Sequence, residues 1–335
     1  MKIISDIKHK KVLVSPLDWG LGHAARIVPI VNILRKYNSV IIVCGVGAEM
    51  FLKTELPDVE IFSLKEKRIT YPKGKISFFS FIKWGYVMIY NTFNEFFFVK
   101  KVIRKLGIEV VISDNRYGLS FKGLDCFIIT HQITPKLPSG FGLLKKCSDK
   151  FFKTLLFRFK KVLVPDFEQG FTLSGNLAGD MQSNKIERIG ILSRFCDYKL
   201  SEISLEYDYL ILISGQEKQR TVFENILLSL VKTTSKKVIF VRGVSEKYSP
   251  ISLKLENVVF YNMLTGNALA NAFEKSKTII CRSGYSTLCD IVAMKKQAVI
   301  IPTPGQTEQE YLANRLDGKF NFKALSQSEL IDYKL

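Results

Sequence analysis

Short, continuously apolar β-branched runs alternate with longer amphipathic stretches along this chain, and that alternation leaves few folds open. Lys11 to Ser15 (KVLVS), Val40 to Cys44 (VIIVC), Val59 to Leu64, Glu109 to Ser113 (EVVIS) and Cys126 to Thr130 (CFIIT) read as strands. Strands without apolar–polar alternation are buried on both faces, which marks a parallel sheet between two helix layers. Ala24 to Tyr37 reads as the first covering helix, with Ile27, Ile30, Val31 and Leu34 on one face. The pattern then restarts with Tyr209 to Ile213, Lys237 to Val241, Asn257 to Tyr261, Thr278 to Cys281 and Ala298 to Ile301, with helices over Thr221 to Thr233 and Ser286 to Met294. At about 150 residues per domain, 335 residues hold two. The expectation is an α/β chain of two Rossmann-like, doubly wound domains, 1–190 and 191–335, facing a central cleft lined by the loops that follow the strands.

Charge separates the two halves. Residues 1–170 carry 28 Lys or Arg against 14 Asp or Glu, and residues 171–335 carry 21 against 17, so most of the net +18 belongs to the first half. A compositional bias of the whole proteome would spread the excess evenly. The six cysteines form no Cys-x-x-Cys pair and only three His exist, which argues against zinc and for a reducing, cytoplasmic setting. Ile76 to Phe98 is the most apolar long stretch, but Lys83, Asn91, Asn94 and Glu95 interrupt it, so a spanning helix is not expected.

Four loops carry the unusual residues. The first runs from Pro16 through Asp18, Trp19, Gly20, Leu21 and Gly22 to His23. Its glycines permit positive φ and close backbone approach, the helix start offers N–H groups to an anion, and His23 at the helix mouth can act as a base. A tight turn with a capping His explains the same residues. The spacing is not Gly-x-Gly-x-x-Gly and Val43-Cys44-Gly45 ends the second strand without an acid, which disfavours a nicotinamide dinucleotide. The second loop, Ser214-Gly215-Gln216 and on to Arg220, offers backbone N–H groups, a hydroxyl and a guanidinium to phosphates. It lacks the Gly-Lys-Ser/Thr ending of a nucleoside triphosphatase loop.

The third loop, Cys281-Arg282-Ser283-Gly284-Tyr285-Ser286-Thr287-Leu288-Cys289-Asp290, places a carboxylate one turn into a helix. Asp290 can pair with a ribose diol there or simply favour the helix N-terminus electrostatically. The fourth, Pro302 to Asn314, turns through Pro304 and Gly305 and brings Gln309 and Glu310 to a helix start.

Together these loops resemble the GT-B glycosyltransferases of the MurG type, glycosyltransferase family 28, which transfer N-acetylglucosamine from a UDP donor to a lipid-diphosphate acceptor. The family's Cys-Arg-Ser-Gly run, its Ser/Thr and its acid are present as Cys281 to Gly284, Ser286, Thr287 and Asp290; its Gln-Gln pair before an aromatic appears as Gln309-Glu310-Tyr311. The resemblance implies that Asp290 holds the ribose and that Gln309 and Glu310 hold the donor sugar, with Glu310 departing from the family's Gln. It extends donor binding to Arg194, Ser214, Gly215, Gln216, Arg220, Arg282, Ser283, Gly284, Ser286 and Thr287. Arg194 ends Ile189-Gly190-Ile191-Leu192-Ser193-Arg194, which stands for the family's interdomain motif, and is an expected diphosphate contact. On the acceptor side it implies Asp18, Gly20, Leu21, Gly22, Asn115 and His131, the last from the run Thr130-His131-Gln132.

The reaction so implied is an inverting transfer with no bound metal and no cofactor beyond the UDP-sugar. His23 is the first candidate base, with Asp114 as orienter or alternative base; an Asp before Asn115 also suits a turn. Lys65 to Lys105 holds ten Lys or Arg and eleven aromatics, and Lys136 to Lys161 eight basic side chains beside Phe141, Phe151, Phe152, Phe157 and Phe159. Such segments suit an anionic membrane surface, hence a peripheral protein on the inner face with a lipid-linked acceptor. The same aromatics serve equally as core faces of helices. Nucleic acid is not expected, since no binding module appears, and no partner protein is identifiable. Two other functions use the same scaffold: a nucleotide-sugar hydrolase or epimerase, and a non-catalytic nucleotide-sugar-binding protein.

Overall fold

The computed structural model describes residues 1–67, 78–133, 142–179, 183–200, 204–244, 248, 251 and 253–335. The chain forms two compact units divided between Leu192 and Ser193. The first contains α1 (Lys2–Ser5), β1 (Lys11–Pro16), α2 (Leu21–Leu34), β2 (Ser39–Gly45), α3 (Val46–Glu55), β3 (Glu60–Leu64), α4 (Phe78–Leu106), β4 (Val110–Asp114), β5 (Asp125–Ile129), α5 (Gly142–Leu156), β6 (Lys161–Val164) and β7 (Ile186–Arg188). The second contains β8 (Tyr207–Leu212), α6 (Gln219–Val231), β9 (Val238–Val241), β10 (Val258–Tyr261), α7 (Gly266–Lys275), β11 (Ser276–Arg282), α8 (Tyr285–Ala293), β12 (Gln297–Ile301), α9 (Thr307–Leu316), β13 (Phe322–Ala324) and α10 (Gln327–Ile331).

The first sheet has the order β3-β2-β1-β4-β5-β6-β7 and the second β10-β9-β8-β11-β12-β13. Every pairing is parallel. Both orders are doubly wound: each sheet starts in its middle, runs to one edge, then restarts beside its first strand. The two-sheet α/β expectation therefore holds. Strands β6, β7 and β13 were not expected. Within β1 the pleat sends Val12 and Val14 into the core under α2, with Ile27 and Val31, and sends Leu13 to the opposite face, where it packs with Val99 and Val102 of α4. In the second unit Ile211, Phe240, Ile280 and Val299 pack with Phe223 and Leu227 of α6.

The helix following β1 starts at Leu21, not at Ala24, so Gly22 and His23 belong to its first turn. Among the described residues no helix is long and apolar enough to cross a membrane.

Candidate functional site

In each unit the strand order reverses beside the first strand, between β1 and β4 and between β8 and β11. Loops leaving neighbouring strands there diverge, which opens the sheet's carboxyl edge to a ligand. The unusual loops of the sequence leave the sheets at these edges.

In the first unit Pro16 lies in register with Asp114, and the Leu17 N–H donates to the Asp114 carbonyl at 3.1 Å. Gly20, at φ 103° and ψ 168°, turns the chain so that α2 begins at once. Gly22 has no positive φ, so the expectation of two left-handed glycines holds for Gly20 alone. The turn sets His23 with Nδ1 3.1 Å from Asp114 Oδ2. Arg26, one turn further along α2, donates from Nε to the same oxygen at 3.2 Å and from Nη2 to Asp114 Oδ1. Its Nη1 reaches His131 Nδ1 and its Nη2 reaches His23 Nδ1, each at 2.9 Å. His23, His131 and Asp114 are thereby joined through one buried guanidinium.

Burial alone would raise the Asp114 carboxyl; the charges of Arg26 and His23 outweigh it and hold the group below the usual carboxylate range. Asp114 is thus an anion matched by Arg26. The neighbouring Asn115 sits in the left-handed region at φ 56°, its N–H donating to the Ile129 carbonyl at 3.0 Å. Among the described residues its buried Oδ1 has no donor, leaving an acceptor that a ligand hydroxyl would satisfy. Arg116 braces the loop from below: Nε donates to the Pro16 carbonyl at 2.7 Å, and Nη1 joins Glu95 at 2.7 Å and Glu66.

Asp18, expected on the acceptor side, is held within the first unit. Its carboxylate packs against the start of α3, taking the Gly47 N–H at 3.1 Å. A Cβ on Gly45 would lie 2.1 Å from its Oδ2. The helix N-terminus attracts a carboxylate, and Gly45 and Gly47 leave room for it. Leu21 is a half-buried residue packed against the core under α2.

In the second unit the loop after β8 carries Ser214, Gly215 at φ 109° and Gln216, whose buried Oε1 has no partner among the described residues. Arg220 is not open to a phosphate. It is buried, with Nε on Glu217 at 2.5 Å and Nη1 on Glu224 at 3.1 Å and on the Arg242 carbonyl at 3.2 Å. Nearby carboxylates have claimed the charge. Arg282 is likewise a wall of the site. It lies buried with its guanidinium carbon 3.9 Å from the Phe223 ring centroid, and it donates to the Pro302 carbonyl at 2.9 Å and Gln327 Oε1 at 2.6 Å. Burial, partly offset by Cys281, lowers it to about 10.

The loop after β11 ends at Gly284, the N-cap of α8, whose first turn holds Tyr285, Ser286 and Thr287. Ser283 Oγ donates to the Gln309 carbonyl at 2.8 Å. Gln309 Oε1 accepts the Thr303 N–H and Glu310 Oε1 the Gly305 N–H, each at 2.8 Å. Both side chains therefore brace the turn after β12. Among the described residues the Gln309 Nε2 donor keeps no protein acceptor, and Gly284 stands beside it, with room for a Cβ at 4.0 Å. Asp290 accepts from Ser193 Oγ at 2.6 Å and from Arg194 Nε and Nη2 at 3.2 and 3.1 Å. The expected ribose and diphosphate ligands are thus each other's partners.

Arg26 was not among the residues singled out by sequence. The available signal was a lone basic residue between Ala25 and Ile27 on an otherwise apolar helix face.

The model of the glycosyltransferase family 28 C-terminal domain matches residues 211–335. No curated protein matches this sequence. Among solved structures the chain is similar to CalG4, the calicheamicin glycosyltransferase, with a TM-score of 0.62 and 12% identity over 97% of this chain and 87% of that one. It is similar to the spinosyn rhamnosyltransferase SpnG complexed with thymidine diphosphate, with a TM-score of 0.62 and 10% identity over 96% and 88%. A third is Phytolacca americana UGT2 complexed with UDP-2fluoro-glucose and pterostilbene, with a TM-score of 0.61 and 12% identity over 96% and 87%. These likenesses give the fold: two Rossmann-like domains of the GT-B class. The family match and the fold together support a glycosyltransferase. They do not single out the MurG type, since the similar structures include antibiotic glycosyltransferases.

Proposed function

We propose that this protein transfers a hexose or N-acetylhexosamine from a UDP-sugar to a membrane-associated, lipid-linked acceptor, with inversion and without a metal. The observation that carries the donor side is the family 28 match, which spans the donor loops from Ser214 to Glu310. The thymidine diphosphate bound by SpnG and the UDP-2fluoro-glucose bound by UGT2 support a nucleotide-sugar donor. Gln309 Nε2 and Asp290 are the groups offered to sugar and ribose, with backbone N–H groups of the Ser214–Gln216 loop and the α8 start facing the diphosphate.

His23 is the base of this reading. When its Nδ1–H is donated to Asp114, the Nε2 lone pair takes the proton of the acceptor hydroxyl. The freed oxygen bonds to the anomeric carbon as the bond from that carbon to the diphosphate oxygen breaks, its electron pair leaving with UDP. Asp114 orients the ring and balances the imidazolium formed.

The acceptor side rests on α4. Tyr86, Ile89, Tyr90, Phe93 and Phe97 are all exposed and fall on one helical stripe, followed by Lys100, Lys101, Arg104 and Lys105. Aromatic side chains beside Lys and Arg suit the headgroup layer of an anionic bilayer, with each near-surface charge contributing roughly 1 kcal/mol. The aromatics at 78, 79, 81 and 84, and the basic segment at 136–141, lie outside the described side chains.

The test is incubation with membranes and a panel of radiolabelled UDP-sugars. Label in the lipid fraction supports the reading. Water-soluble sugar alone defeats the lipid acceptor, and UDP binding with no turnover on any acceptor defeats the transferase.

A further inference from the structure

Trp19, Val46 and Met50 are large apolar side chains left exposed at the carboxyl edge of the first sheet. Trp19 follows β1, and the other two belong to α3, which follows β2. β1 and β2 pair in parallel, so both segments start from adjoining strand ends. Val46 and Met50 are four residues apart in α3 and share a helix face.

The main chain at Trp19 is pinned on both sides. Before it, the Leu17 N–H donates to the Asp114 carbonyl and the Asp18 carboxylate takes the Gly47 N–H, each at 3.1 Å, which ties the loop to the first turn of α3. After it, Gly20 is the N-cap of α2, whose first turn holds His23. A single exposed apolar side chain needs no explanation. Three from two adjoining strand ends, beside the candidate base, mark a surface that a ligand covers.

The charged groups of these segments already have partners. Asp18 lies against the α3 N-terminus, and Glu49 pairs with Lys53 at 2.6 Å. Arg26 is held by Asp114, and Arg116 by Glu66 and Glu95. A phosphate laid on the patch would meet an indole and two apolar side chains in place of cations, losing its hydration without compensation. An uncharged apolar group would gain by covering them.

We propose that Trp19, Val46 and Met50 form an acceptor subsite that takes an uncharged apolar group, a chain or a ring, adjoining the hydroxyl to be glycosylated. This rests on the first unit being the acceptor side, but its test needs neither donor nor turnover.

The chain has two Trp, so Trp84→Phe leaves Trp19 as the one indole to follow by fluorescence. The probes are n-octyl β-D-glucoside below its micelle concentration, phenyl β-D-glucoside, methyl β-D-glucoside and inorganic pyrophosphate. Trp19 emission changes saturably with the octyl or the phenyl glucoside; the stronger of the two tells a chain from a ring. Val46→Ser/Met50→Gln, made in the same background at exposed positions, weakens that binding about tenfold. It leaves sedimentation with phosphatidylglycerol vesicles unchanged.

No response to either apolar probe overturns the proposal, as does methyl glucoside or pyrophosphate binding as tightly as they do. Unchanged probe affinity in the double variant also overturns it, and if vesicle binding is lost instead, the patch is a membrane contact. Probe binding at Trp19 by a protein that transfers sugar to no acceptor defeats the functional reading alone. Transfer to lipid with Trp19 silent to the probes defeats this subsite alone.

Discussion

Arg194 places Nε and Nη2 at 3.2 and 3.1 Å from a single oxygen of Asp290, while Ser193 Oγ donates to the other oxygen at 2.6 Å. A carboxylate has about four lone-pair positions, and three donors already fill most of them. A ribose diol brings two more. Arg194, the more exposed partner at 16% against 6% for Asp290, is the one able to swing away, and its freed guanidinium would then meet the diphosphate.

The pair should therefore behave as one unit in donor binding. Asp290→Asn and Arg194→Ala each weaken UDP binding about 10- to 100-fold, the loss expected for a hydrogen bond to a charged group. In the Asp290→Asn background Arg194→Ala costs less than half of its effect in wild type, as contacting residues do not act additively. Calorimetric titration of UDP into the four proteins measures this; strictly additive losses would separate the pair from donor binding.

Asp18 and Gly45 are matched by space. Gly45 has φ −70°, which any residue adopts, so its need for glycine comes from the Asp18 carboxylate filling the Cβ position at 2.1 Å. Gly45→Ala should cost about 2 kcal/mol through overpacking. In an Asp18→Ala background the same substitution should cost under half of that. Urea denaturation of the single and double variants reads the difference, and equal costs in both backgrounds would show that Asp18 is not the obstacle.

These two pairs show where sequence reasoning reached and where it stopped. The strands VIIVC and YLILI were legible because burial on both faces requires continuous apolar side chains. Ile186-Glu187-Arg188 and Phe322-Lys323-Ala324 were not, because three half-polar residues at a sheet edge leave no run. The site loops were found by their glycines and by the helix starts that follow them. The partners of their arginines were not legible, since Arg220 pairs with Glu224 in the adjoining helix turn and Arg282 donates to the Gln327 amide oxygen from the far end of the unit. Arg26 was invisible for the same reason: its partners Asp114 and His131 lie 88 and 105 residues away.

Asp114 makes a pH-dependent contribution whose sign follows from its lowered carboxyl. The unfolded chain binds this proton near the ordinary 3.8, and the folded chain only at lower pH. The stabilisation is thus fully present above 3.8 and is lost as pH falls from there through the folded value. Asp114→Asn should cost about 3 kcal/mol at pH 7, because it leaves a buried guanidinium unmatched. The gap between wild type and variant in urea denaturation should hold at pH 5 and close below 3.8. A gap that stays constant down to pH 3 would mean that the charge of Asp114 does not stabilise the fold.

The stripe on α4 offers a test that leaves the core untouched. Phe93 and Phe97 are 61% and 64% exposed, so replacing them with Ser removes apolar surface without opening a cavity. Fully burying a Phe is worth about 1.5–3 kcal/mol, and rings reaching only the headgroup layer gain part of that. Each substitution should therefore weaken binding to vesicles containing anionic lipid by about tenfold. Lys100, Lys101, Arg104 and Lys105 add an electrostatic part that salt screens within a Debye length of about 10 Å at 0.1 M. Sedimentation with anionic vesicles should show binding that falls steeply between low and high salt, and that is weak on neutral vesicles at any salt. Phe93→Ser/Phe97→Ser should fail to sediment while keeping the wild-type unfolding midpoint. Equal binding to neutral and anionic vesicles would remove the basic helix end from the interaction, and undiminished binding by the double variant would remove the aromatic stripe.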